Sequence, residues 1–383
     1  MKKFVKMSLV AALAVTGTVA SAQPLAEAIK NVDVSGTVAY RYNDYEETTG
    51  GQDDSASSNN YKIAVNLKSK VNDDVTANTR FIIGAAGGDA VSLNNHDEGD
   101  ANPSVTLSEV NFTYTGIANT AITVGKQGLA TPFTLHRDAM GNEQVGTGIL
   151  ALTNVGPVTL AGAYFNQTNL DTDVNEMSND LGLAGDENVI VAGAILNIAG
   201  ITADVWYADL QDTFDAYTIG LAASYDISDV NLAPYARYTS LDLDNSSADN
   251  KLWKIGMRAQ MGIFGAHLGY GQTDDEGGVT SLDYSAATGY DEHWRVTLSG
   301  QTDADVIYAD VNAQVTDTVN LSLNYSDLDN DSTNTDETEI YGQVKYDMSK
   351  NFYTFVRIGQ YEVDQTGDDI DSTIGRVHVQ YSF

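Results

Sequence analysis

Hydrophobic and polar positions alternate with a period of two along most of this chain. Val32 to Tyr42 reads VDVSGTVAYRY, with Val32, Val34, Val38, Tyr40 and Tyr42 on one face and Asp33, Ser35, Thr37, Ala39 and Arg41 on the other. Alternation at 180° per residue marks a β-strand with two unlike faces. The pattern returns at Tyr61–Lys68 (YKIAVNLK), Val75–Ile83 (VTANTRFII), Trp253–Met261 (WKIGMRAQM), Val319–Tyr325 (VNLSLNY) and Val377–Phe383 (VHVQYSF). Only Pro24–Lys30 (PLAEAIK) has the look of a short helix. No mature segment approaches the roughly 18 consecutive apolar residues of a transmembrane helix.

The connections alternate in length. Short turns lie near 72–74, 116–119, 154–156, 197–200, 227–229, 262–265, 316–318 and 349–350. Mostly longer connections lie between them, near 44–60, 85–103, 128–145, 167–186, 211–215, 242–250, 273–304, 329–337 and 363–370. Together they delimit 18 strands. Trp294–Ser299 (WRVTLS) also alternates, but a strand there would send the 316–318 turn to the wrong end, so it is placed in the loop. Short turns at one end and long loops at the other predict an all-β fold, an 18-stranded antiparallel transmembrane β-barrel of the outer-membrane porin type.

The N-terminus changes the setting. Lys2, Lys3 and Lys6 precede an apolar run, and Ala20-Ser21-Ala22 fits a cleavage site, so residues 1–22 are expected to be a signal peptide and 23–383 the barrel. Cysteine is absent, which excludes disulfides, thiol catalysis and Cys-ligated zinc. Asp and Glu number 53 against 20 Lys and Arg, a balance that argues against nucleic acid. Most of these acids lie in the long connections, with only Arg137 and Arg295 as basic company. The basic residues sit instead in the polar phase of strands: Arg41, Lys62, Lys68, Arg80, Arg237, Lys254, Arg258, Lys345, Arg357 and Arg376. In the other phase each would cost about 2–4 kcal/mol at the bilayer midplane. Tyrosines near strand ends, such as Tyr114, Tyr207, Tyr225 and Tyr346, suit the headgroup level. The terminal Phe383 suits a last barrel strand.

Four stretches together carry a family likeness: Pro24–Gly36 (PLAEAIKNVDVSG), Val124–Leu129 (VGKQGL), Val145–Ile149 (VGTGI) and the closing Phe383. The chain resembles the major outer membrane porin family of Campylobacter and its relatives. The resemblance implies an 18-stranded, homotrimeric general-diffusion channel with the 128–145 loop folded inward as a constriction. It departs from the family around Pro132 to Arg137. It also implies a calcium ion near the constriction. Asp138 stands at a family ligand position, and Asn166 at a second where the family would have an acid.

No HExxH, GxSxG or phosphate-binding loop occurs. His96, His136, His267, His293 and His378 are expected as solvated polar residues, and Asp327–Glu339 as an acidic solvated loop. No enzyme activity is expected and no cofactor required. The expectation is a water-filled outer-membrane channel for ions and small hydrophilic solutes in a Gram-negative cell. It should be mildly cation-preferring because acids crowd its mouth. Its expected pore lining is Arg41, Lys62, Arg80, Arg137, Asp138, Glu143, Arg237, Arg258, Arg357 and Arg376. The rival reading is a surface adhesin or structural barrel with a plugged lumen, and a hydrolase comes third.

Overall fold

The computed structural model describes residues 32–83, 91–92, 94–95, 99–100, 105–138, 140, 143–172 and 181–383. The expected signal peptide and the PLAEAIK segment lie outside the described residues. The wall runs β1 (Val32–Thr49), β2 (Gln52–Lys70), β3 (Val75–Ile83), β4 (Val105–Tyr114), β5 (Thr120–Gly128) and β6 (Val145–Val155). It continues as β7 (Val158–Thr168), β8 (Val189–Ile198), β9 (Ile201–Leu210), β10 (Phe214–Ala223, resumed at Tyr225–Ile227), β11 (Val230–Leu243) and β12 (Asp249–Met261). It ends with β13 (Phe264–Thr273), β14 (Ala304–Thr316), β15 (Val319–Asn330), β16 (Thr335–Ser349), β17 (Phe352–Asp364) and β18 (Ile370–Ser382).

Each strand pairs antiparallel with its sequence neighbours, and β18 pairs with β1 from Thr37↔Ser382 to Thr49↔Ile370. Gly36 and Phe383 exchange backbone bonds of 2.9 and 3.0 Å at the seam. This closed 18-strand barrel leaves no sheet edge, the condition for strands to stand in lipid. Trp294–Ser299 is not a strand.

The phase of the alternation decides what each face meets. Val38, Phe112, Val124, Ile219, Ile255, Leu268, Leu323 and Val356 are all exposed on the outside. A continuous apolar band of this kind is out of place in water and at home in hydrocarbon. Tyr114, Tyr207, Tyr225, Tyr238, Tyr325, Tyr346 and Tyr381 are exposed with it. On β2, Lys62 and Ala64 face inward and are buried, which sets Val65 outward and Asn66 inward.

Two expectations need correction. Residues 44–60 are not a loop, because β1 and β2 continue to a two-residue turn at Gly50 and Gly51, both with positive φ. The same holds for 327–339, where β15 and β16 extend to a turn at 331–334. Beyond the bilayer both faces of a ribbon are wet, so Asp, Glu and Ser fill it and the two-fold hydrophobic signal vanishes. The inner face is also not uniformly polar. Phe165, Val191, Leu210, Phe214 and Leu241 face inward from β7 to β11 and are buried in one apolar cluster. Loops cover it.

Candidate channel constriction

The connection after β5, residues 129–144, folds back into the barrel. Leu129 and Phe133 join the apolar cluster on the inner wall, each 1% exposed. Leu129 N–H donates to Gln144 O (2.9 Å) and Gln144 N–H to Leu135 O (3.3 Å), closing the loop on itself. Glu143 is the fixing point. Its carboxylate is fully buried and accepts from Arg80 Nε at 2.8 Å and Ser108 Oγ at 2.9 Å, with a second Arg80 contact through Nη2. Lys62 Nζ lies 3.3 Å away. Burial pushes this carboxyl up, but the Arg80 hydrogen bond and the Lys62 and Arg80 charges outweigh it and hold it below its ordinary value. Lys62 also donates to Asp138 O at 3.2 Å, and Glu109 on β4 takes Arg137 and His136.

A second connection, residues 274–303, also enters the lumen, which the sequence reading did not anticipate. It meets the first directly: Leu282 N–H donates to Phe133 O (2.7 Å) and Thr288 N–H to Pro132 O (3.0 Å). Gln144 Nε2 donates to Leu282 O at 2.8 Å. Its anchors are aromatic and apolar. Tyr290, Val296 and Leu298 pack against Leu252, Val306, Tyr308 and Leu328 of the wall. Tyr290 fits because β13 offers glycine: a Cβ on Gly269 would lie 2.0 Å from its hydroxyl, and one on Gly271 2.6 Å from its ring. Alternate glycines in the lumen phase of β13 were the available signal. Tyr290 OH shares a 2.9 Å bond with Tyr235 OH, which meets His267 Nε2 at 2.8 Å, while His267 Nδ1 faces Asp310 at 3.0 Å. His293 Nδ1 lies 2.6 Å from Ser326 Oγ. The expectation of solvated histidines therefore fails for His267, His293 and His378, because the first and last are buried in the inner wall and the His293 side chain is enclosed against Tyr308 and Tyr341.

The expected lining residues fall into three environments. Lys62, Arg80, Arg137 and Glu143 are consumed in attaching the first loop. Arg258 pairs with Glu292 of the second at 2.5 Å, and Arg237 with Asp204 of the wall at 2.9 Å. Arg41, Arg357 and Arg376 make no ion pair with any described residue. Of the expected calcium ligands, Asp138 belongs to the first loop and Asn166 to β7. Asp138 Oδ1 accepts from Met140 N–H at 2.7 Å, and exposed Asn166 occupies the β7 bulge opposite β6. No cluster of three or more His, Asp or Glu suited to a metal occurs among the described residues. Calcium takes 6–8 oxygens, more than Asp138 and Asn166 supply by themselves.

Comparison with solved structures matches this architecture. Pseudomonas aeruginosa OpdQ superposes with a TM-score of 0.73 at 15% identity, covering 92% of this chain and 99% of that one. A BenF-like porin from Pseudomonas fluorescens Pf-5 gives 0.72 at 15%, with 92% and 99% covered. Acinetobacter baumannii OccAB4 gives 0.70 at 13%, with 92% and 98% covered. No curated protein matches by sequence. The sequence profile of the family described as Campylobacter major outer membrane protein matches residues 1–383, the whole chain. The chain belongs to that family, an outer-membrane porin of a Gram-negative bacterium.

Proposed function

We propose that the barrel is a passive, water-filled channel for ions and small hydrophilic solutes, narrowed by two inward loops and mildly cation-preferring at low salt. The observation that supports it most is the asymmetry of the lumen. The first loop is anchored on β2 to β4 and on the apolar cluster of β7 to β11, and the second packs on β12 to β15 and reaches Glu339 on β16. Arg41, Arg357 and Arg376 on β1, β17 and β18 instead carry charge on the inner face without an ion pair among the described residues. At the loop end, Glu46, Glu47, Asp53, Asp54, Glu362 and Asp371 line an acidic cleft. Such a mouth concentrates cations until salt shortens the Debye length. A homotrimer belongs to the same proposal, checked by cross-linking in intact outer membranes.

The plugged-barrel reading has one observation of its own, the direct bonding of the two loops. Planar-bilayer recording of the purified protein separates the two. Stepwise ohmic conductance with a reversal potential favouring potassium at low salt supports the channel. Silence of folded protein supports the plug, and a reversal potential favouring chloride removes the cation preference.

A further inference from the structure

Arg357 and Arg376 stand directly opposite each other on β17 and β18. Like charges in that position destabilise a sheet. No carboxylate pairs with either: Arg357 donates to Gln343 Oε1 (3.0 and 2.9 Å) and Arg376 Nε to Asn43 Oδ1 (2.7 Å). Arg41, on β1 opposite His378, lies within electrostatic reach of both. The acids nearby are Asp138, which acts on Arg41, and Glu339, whose Oε2 accepts the Trp294 and Arg295 backbone N–H groups at 3.2 and 3.1 Å.

The inner loop completes the patch. Trp294 lies between the two facing guanidiniums, 5.0 Å from Arg357 and 4.9 Å from Arg376, and Tyr341 sits 4.6 Å from Arg357. Rings on the flat faces of guanidiniums fix their planes and leave N–H edges for a partner. Four buried polar atoms here have no partner among the described residues: Arg41 Nε, Trp294 Nε1, His378 Nδ1 and the second oxygen of Glu339, Oε1. Buried polar atoms without partners are rare, and several converging on one place call for a ligand.

We propose that Arg41, Arg357 and Arg376, held by Trp294, form a subsite for the carboxylate of small organic anions in transit. Planar guanidinium forks match a carboxylate with two parallel hydrogen bonds. The subsite rests on the channel reading and deepens it, giving the lumen a local preference opposite to that of its mouth.

The test is titration of single channels in potassium chloride with succinate. Wild type should show a saturable fall in open-channel current. Arg376→Gln should raise the half-blocking concentration about tenfold or more, the scale of one lost charge-assisted hydrogen bond. Lys68→Gln, which removes an equal charge near the turn end, should leave it unchanged. Absence of saturable block, or equal shifts in both variants, overturns the subsite. Loss of conductance in potassium chloride alone would instead overturn the channel. Should Arg376→Gln fail to insert, wild type in detergent decides: succinate should raise the thermal transition above chloride of equal ionic strength, and no rise overturns the proposal.

Discussion

The two inward loops lie side by side and are fixed by opposite physics. Residues 129–144 hold on chiefly through charge, with Glu143 shared by Arg80, Lys62 and Ser108 and Arg137 set on Glu109, beside the apolar contacts of Leu129 and Phe133. Residues 274–303 hold on through buried rings and aliphatic chains, with Tyr290 seated against Gly269 and Gly271. A buried ion pair contributes little net stability against an apolar alternative, yet is costly to break from one side. Apolar packing contributes in proportion to area and fails gradually. The first loop should therefore respond to single charges and the second to volume.

Removing Glu143 is the sharpest way to test that difference. Glu143→Ala leaves Arg80 and Lys62 buried without a counter-charge, at a cost of about 3–5 kcal/mol. Single-channel conductance should rise, and amide exchange should increase across 129–144 more than across 283–300. Unchanged conductance would take the first loop out of the constriction.

Tyr290→Ala is the matching test of the second loop. Truncating a buried aromatic costs about 3–5 kcal/mol, less where neighbours collapse into the space. Exchange should now rise across 283–300, and the Glu143 contacts should keep 129–144 protected. Gly271→Ala should act in the same direction more weakly, by about 1–3 kcal/mol of overpacking. If either variant loosens both loops equally, the bonds from Leu282 and Thr288 to Phe133 and Pro132 make them one unit.

The contrast also explains what could be read from the sequence. The wall was legible because lipid imposes one rule on every strand, and a Lys or Arg in the wrong phase is expensive. Strand number followed from connection lengths, and the parity argument placed Trp294–Ser299 correctly in a loop. The ribbon at 44–60 was missed because water on both sides imposes no rule. In the lumen, the family motifs around Val124–Leu129 and Val145–Ile149 pointed to the first loop. They could not show that Lys62 and Arg80 are used up by Glu143, since that pairing joins residues more than sixty positions apart. The second loop has no motif. Its trace was negative, the missing side chains at Gly269 and Gly271 where Tyr290 fits.

Acidity should separate the loops with the smallest perturbation. Burial pushes the Asp291 carboxyl, in the second loop, up to about 6; the Ser285 hydroxyl opposes this, and Glu339 and Glu292 add to it. A carboxyl raised by docking binds its proton more tightly when docked. Attachment of 274–303 should thus strengthen as pH falls from about 6 toward the ordinary Asp value of about 4, with no further gain below. Glu143 is held low, so attachment of 129–144 is complete above the ordinary carboxylate range and is lost as pH drops beneath it. Between pH 7 and 5 exchange should fall across 283–300 and stay level across 129–144. Below about pH 4, the lower edge of the ordinary carboxylate range, exchange should rise across 129–144 instead. Asp291→Asn should flatten the first of these changes and leave the second. Parallel pH profiles in the two loops would show that Asp291 and Glu143 do not govern them separately.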